Sequence, residues 1–378
     1  MATYQQLQRD PVSSILFNNR ITTMEGLQRT LKDHAFIALD TEHVPIESPK
    51  NRILHQVGLA YLPTMAPYVD APGQPRLDNF INRSQSQSLA LNINISDQTR
   101  EDLVRYRGGI PNRRPSRFGH ERQVNLDDLE SAVIGFIQSY KSTKLVLIGF
   151  EMPAEWNYLL RNFPKAIPYF SFWMDLRDIA KDITGAIGVI PGRVSVLKTL
   201  GYSWKDIKGS SKHGAAHNAA NDAISVLTMT SSFLNPENQE KLRFRQKCSQ
   251  IARHTYNENR ITFGAAIQSQ EGLLPNTIDS SMKLARFFFD FMPTSTGLKS
   301  TEIAFITFEN ESHLNQFIQE NNQRLLPTGE ILSVVPIIKG NAKTTEREEK
   351  QHLRATKKAE RLEIDMDLSE GCIAILEE

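Results

Sequence analysis

Cysteine is nearly missing from this 378-residue chain, which carries only Cys248 and Cys372. Two thiols cannot staple a disulfide framework, so the chain is expected to fold by apolar burial in a reducing compartment. No run of 18 apolar residues occurs, which excludes a membrane-spanning helix. The opening Met1-Ala2-Thr3-Tyr4-Gln5-Gln6 lacks the apolar core of a secretory signal. Neither sign of charge dominates, with 44 basic against 43 acidic residues. A polyanion would therefore meet no global positive field, and any basic surface must be local. These absences predict a soluble cytoplasmic and/or nuclear protein with no membrane partner. The hydrophobic content of 40% is ample for packed cores, and the length suits two or three domains.

The acidic residues are more instructive. Phe36-Ile37-Ala38-Leu39 reads as a buried strand that runs into Asp40-Thr41-Glu42. Period two places Asp40 and Glu42 on one face, where two anions are costly without a cation. Mg²⁺ or Mn²⁺ with oxygen ligands is the usual neutraliser. A second strand-like run, Leu145–Ile148, ends at Gly149, and Pro153 suits the first turn of the helix that follows. Glu155, or alternatively Glu151, would then lie near the first acid pair. Further on, His217-Asn218-Ala219-Ala220-Asn221-Asp222 enters an apolar-periodic helix from a small-residue loop, Gly209–Gly214. Asp222 would sit on the first turns of that helix and His217 in the loop before it. A metal acidifies water, and a neutral imidazole can take the proton.

The order is an acid pair on a strand, an acid after a later strand, then His and Asp at a helix start. It resembles the DEDDh superfamily of 3′–5′ exonucleases, and the wording of the motifs is most similar to a fungal branch of it. Exonucleases that accompany Argonaute in filamentous fungi are also similar. The resemblance covers roughly residues 33–235, with Glu155 standing where the family pattern has Asp. It implies an α/β fold with a ribonuclease H-like mixed sheet flanked by helices. It also implies two divalent ions, Mg²⁺ or Mn²⁺, about 3.5–4 Å apart and bridged by Asp40. Glu42 and Asp222 would complete the first ion, Glu155 would serve the second, and His217 would be the general base. Single-stranded RNA or DNA would lose nucleoside monophosphates from its 3′ end. A weakened fold acting as a nucleic-acid or Argonaute-type binding subunit is the alternative that Glu155 leaves open.

The rest of the chain divides by composition. Residues 1–32 read as a polar lead-in with a helix near Met24–Leu31, and 71–126 as an insertion rich in Pro, Gly, Asn, Ser and Arg. Within it Arg105, Arg107, Arg113, Arg114, Arg117 and Arg122, with Tyr106 and Phe118 interleaved, are candidate phosphate contacts. A solvated basic loop with no ligand is the other reading. Helices are expected at Leu126–Ile137, Met174–Ala180 and Ser195–Tyr202, and a strand at Leu54–Leu62 beside the Asp40 strand. Residues 236–275 read as a connector and 276–340 as a small α+β domain. Its strands would be Leu284–Phe291, Ile303–Phe308 and Ile331–Ile337, with a helix at Ser312–Ile318. Ala304-Phe305-Ile306-Thr307-Phe308 resembles the end of a signature of RNA-recognition motifs. The close spacing of the first two expected strands leaves no room for the rest of that fold, which favours a phenylalanine-filled appendage or a protein-docking domain. Residues 341–378 form a charged tail.

Overall fold

A computed structural model describes residues 4–46, 52–67, 77–109, 114–142, 144–187, 190–202, 218–252 and 261–337. His217, Arg113, the 209–214 loop and the tail from 341 lie outside these residues. The chain divides into two compact units, Met1–Lys247 and Cys248–Glu378.

The first unit is α/β. Its mixed sheet has seven strands: β1 (Arg20–Ile21), β2 (Ala35–Pro45), β3 (Arg52–Leu62), β4 (Gln87–Ile93), β5 (His120–Val124), β6 (Leu145–Gly149) and β7 (Phe172–Asp175). They lie in the order β1-β7-β6-β2-β3-β4-β5. β2, β3 and β4 form an antiparallel meander, while β6 is parallel to β2, and β7 and β1 continue that parallel set. Alternation along β2 separates two cores. Phe36 and Ala38 face the helix Ala219–Phe233, whereas Ile37 and Leu39 face the helices Leu129–Gln138 and Pro153–Asn162. Continuing the first alternation puts Asp40 and Glu42 on the Ala219–Phe233 side. The site therefore grows out of the end of an apolar stripe.

Several stretches differ from the sequence expectation. Residues 77–124 do not form a loop insertion. They supply β4 and β5 with the helices Leu77–Ser84 and Asp97–Arg107. Gly108, at φ +75°, ends the latter in the left-handed conformation that glycine adopts without penalty. The N-terminal residues also join the core: Leu7, Leu16 and Phe17 are buried, and Trp173 Nε1 donates to Phe17 O at 3.0 Å. Met174 and Asp175 end β7, and the next helix starts one residue later, at Leu176.

The second unit has a four-stranded antiparallel sheet of β8 (Gly264–Ser269), β9 (Ser295–Leu298), β10 (Ile303–Thr307) and β11 (Leu332–Pro336), in the order β11-β8-β10-β9. The chain runs β-α-β-β-α-β, with helices Ser281–Phe287 and Glu311–Asn321 between strands. Leu284–Phe291, expected to be a strand, is mostly helical: Ser280 caps it by accepting from Lys283 N at 3.3 Å. The 236–275 stretch contains β8 and the helix Pro236–Ile251, whose Leu242 is buried in the first unit's core.

Candidate metal centre

Asp40, Glu42 and Asp222 converge, with one carboxylate oxygen from each lying within 4.8 Å of the others. Three local features bring them together. Strand alternation aims Asp40 and Glu42 at the same side. Asn218 starts the Ala219–Phe233 helix as its N-cap, accepting from Ala220 N at 3.0 Å and Asn221 N at 3.2 Å. The third feature is Gly58, which pairs with Asp40 across β2 and β3. A Cβ there would lie 1.9 Å from the carbonyl carbon of Ala219. Hydrogen at this position lets the helix backbone press onto the sheet beside Asp40, bringing Asp222 within reach.

The same helix start is fastened by a buried polar chain. Gln56 Oε1 accepts from Ala219 N at 2.7 Å, and Gln56 Nε2 donates to Asn92 Oδ1 at 2.7 Å. Asn92 Nδ2 donates to Glu121 Oε2 at 3.0 Å, and Asn218 Nδ2 donates to Arg114 O at 2.9 Å. Arg117 N donates to Asn221 Oδ1 at 2.8 Å. The two asparagines around Asp222 thus dock the 114–117 segment against the site. A sequence reading that sees only the His and Asp of this motif misses that role.

Electrostatics show how unfavourable the acid group is by itself. Burial, then the charges of Asp40 and Asp222, push the Glu42 carboxyl up to about 9. Arg193, a residue that sequence reasoning did not select, provides the compensating charge. Its guanidinium lies 3.2 Å from Asp40 Oδ1 and 2.5 Å from Asp222 Oδ2. These carboxylates keep Arg193 firmly charged despite its burial.

Glu155 reaches the strand end from the opposite side of the sheet. Its helix packs through Trp156 and Leu159 into the other core, and its Oε1 accepts from Thr41 Oγ1 at 3.4 Å. This geometry explains why it stands outside the three-acid group. Its Oε2 is buried with no hydrogen-bond partner among the described residues. Burial, then the nearby Asp40, push its carboxyl well above the usual range. A cavity of about 370 Å³ opens here, lined by Asp40, His43, Phe150, Glu155, Arg193 and Ser195 among others. Glu151 also lines this cavity but is held differently. It is exposed, sits at φ +64° and pairs with Arg177 at 2.7 Å. Asp175 fixes that turn by accepting from Glu151 N at 3.0 Å and Met152 N at 3.1 Å.

The arginines occupy several places. Arg105 and Arg107 lie in the last turn of their helix, and Arg107 Nε donates to Pro45 O at 2.9 Å. Arg117 pairs with Asp78, and Arg122 is exposed on β5. Arg114 and Arg117 belong to the segment docked beside Asp222; Arg105 and Arg107 are not part of it.

No family model and no curated protein matches the chain. Among solved structures, one titled as a complex of two RRM domains aligns over 21% of this chain and 92% of that one. The identity is 17% and the TM-score 0.17, a likeness too slight to define a fold. Among the described residues, no helix is long and apolar enough to cross a membrane.

Proposed function

We propose that the first unit is a ribonuclease H-like, metal-dependent 3′–5′ exonuclease acting on single-stranded nucleic acid, with RNA favoured over DNA. The observation that carries this reading is the convergence of Asp40, Glu42 and Asp222, from one strand and a distant helix, with Asp40 also lining a cavity. The meander β2-β3-β4, extended in parallel by β6 and β7 beside the acid-bearing strand, supports the fold assignment.

The donor set fits Mg²⁺ or Mn²⁺, because every candidate ligand is a carboxylate and Glu155 Oε2 lacks a partner among the described residues. Asp40, Glu42 and Asp222 would hold the ion, with Glu155 adjoining from the far face. Such an ion supplies an acidified water and charge stabilisation at a phosphate. The chain's own contribution is positional. Gly58 and Asn218 set the helix, and Thr41 orients Glu155. The cavity takes the terminal nucleotide beside the acids, and Arg114 and Arg117 border the helix start where the strand's phosphates would run. His217 would take the water's proton. The protein would work in the cytoplasm and/or nucleus.

A second reading has a specific observation behind it. Arg193 already neutralises the acids, as expected of a weakened exonuclease fold serving as a binding subunit. For the second unit we propose an RNA-recognition-like β-α-β-β-α-β fold that engages a protein partner. Phe305 and Phe308, the two aromatics of the signature resemblance, are only 2% and 4% exposed, which disfavours base stacking there.

One experiment separates these readings. Single-stranded RNA and DNA labelled at the 5′ end are incubated with the protein in Mg²⁺, Mn²⁺ or EDTA. Stepwise shortening that requires metal is expected, and Asp40→Ala or Asp222→Ala should lower it by roughly 10³-fold or more. Activity that survives Asp40→Ala at saturating metal excludes the assignment. Metal-independent binding without shortening favours the binding subunit.

A further inference from the structure

Arg193 stands at the start of the helix Arg193–Thr199, directly after Pro191 and Gly192. It is 153 residues from Asp40 in sequence, and 16% of its side chain is exposed. Its guanidinium spans two of the three clustered carboxylates, and it also lines the cavity that Asp40 and Glu155 share.

We propose that Arg193 is a resident counter-ion that a divalent cation must displace, so that the chain competes with metal for its own ligands. The inference rests on reading these acids as metal ligands. Three carboxylates with oxygens within 4.8 Å repel one another strongly when ionised. A guanidinium fork satisfies two of them at once and lets the metal-free chain fold with the group intact. A divalent ion on the same oxygens would sit against that guanidinium, and the two positive charges repel. Metal binding therefore includes expelling Arg193. The adjoining cavity of about 370 Å³ gives the side chain room to withdraw without rearranging the sheet. Glu155 Oε2, buried at the same wall and without a partner among the described residues, is a ready acceptor for the retreating guanidinium. Apparent metal affinity is accordingly lower than the acids alone would give, and the site is protected from trapping stray cations.

The test is calorimetric titration of Mn²⁺ into EDTA-stripped full-length protein without nucleic acid. Arg193→Gln should bind Mn²⁺ about tenfold more tightly or better, because one opposing charge is gone. Arg193→Lys should fall between, since a compact ammonium cannot bridge two carboxylates as a fork. Arg193→Gln leaves the acids uncompensated without metal, so it is purified in Mn²⁺ and followed by thermal melting during chelator competition. The rise in Tm on adding Mn²⁺ should be larger for the variant than for the parent protein. If Arg193→Gln does not fold even with Mn²⁺, Arg193→Lys decides alone, and affinity no tighter than the parent's overturns the proposal. Mn²⁺ binding by the parent with equal or weaker binding by Arg193→Gln overturns the counter-ion role and leaves the metal site standing. No Mn²⁺ binding by any of the proteins overturns both.

Discussion

The two sheets of this protein bury different chemistry. In the second unit the helices Ser281–Phe287 and Glu311–Asn321 cover one sheet face through Leu284, Phe288, Leu314 and Phe317, and the core is apolar. In the first unit both faces are covered, and polar groups penetrate the interior at one end of β2. Gln56, Asn92, Glu155, Asp175, Asn218 and Asp222 are all buried there. Burying polar groups is unfavourable unless each finds a partner, so their concentration at one strand end requires a reason. The second unit buries polar side chains as well, Thr296 and Asn321 among them, but no carboxylate among its described residues. The contrast separates a region built to be stable from one built to hold charge.

If that contrast is correct, the largest stability effect should come from the apolar unit and leave the charged site untouched. Phe317 is fully buried and contacts the rings of Phe288, Phe291 and Phe308. Phe317→Ala in the full chain should destabilise the second unit by about 3–5 kcal/mol. Mn²⁺ binding and strand shortening should persist at parental levels. Loss of Mn²⁺ binding in this variant would show that the units do not divide the work as described.

A smaller stability effect should do more harm to the site. Gly58→Ala forces a methyl group into the backbone of Ala219 and Ala220. Helix and sheet must separate, with a typical cost of about 1–3 kcal/mol for such overpacking. Asp222 would move away from Asp40 and Glu42, so Mn²⁺ affinity should fall sharply while most of the protein remains folded at 25 °C. Calorimetry beside circular dichroism distinguishes the two losses. Unchanged Mn²⁺ affinity would remove Gly58 from the account of the site.

The acids were readable because each borders a strongly apolar segment. The unbroken run Phe36–Leu39 reads as a buried strand that ends at Asp40 and Glu42, and Ala219–Phe233 is apolar enough to be recognised as a helix behind Asp222. Arg193 was not readable. One arginine after Pro-Gly has no pattern, and only the tertiary fold brings it to Asp40. β4 and β5 were hidden for a different reason. Arg, Ser and Asn dominate their surroundings, and β5 is a charged edge strand, His120-Glu121-Arg122-Gln123-Val124, with no apolar alternation. The aromatic run Phe287–Phe291 has strand propensity, but the Ser280 cap and the core contact of Phe288 settle it as helix and turn. Misplacing that one element removed the room for the β-α-β-β-α-β order, so a local error became a topological one.

The finest distinction lies between two glutamates four residues apart. Glu155 is buried, and its carboxyl is held well above 4.5, by burial first and by Asp40 next. A carboxyl raised in the folded state contributes stability that is fully present below its unfolded pKa and is lost as pH rises through the folded value. Gln cannot ionise, so Glu155→Gln removes that loss. In metal-free protein the two should melt alike near about pH 4, and the variant should gain over the parent as pH rises toward about 8. Glu42, raised to about 9, is present in both proteins and largely cancels from the difference. Glu151, by contrast, is exposed, and its pairing with Arg177 is a surface contact. Strand shortening should distinguish the two, with Glu155→Gln losing activity and Glu151→Gln retaining it. Melting curves across pH for the parent and Glu155→Gln check the first part, and a Glu155→Gln difference that does not vary with pH would show that this carboxyl ionises in the folded protein as it does in the unfolded chain. If Glu151→Gln alone loses activity, the fourth acid of the site is Glu151, and the turn held by Asp175 must reorient when nucleic acid binds.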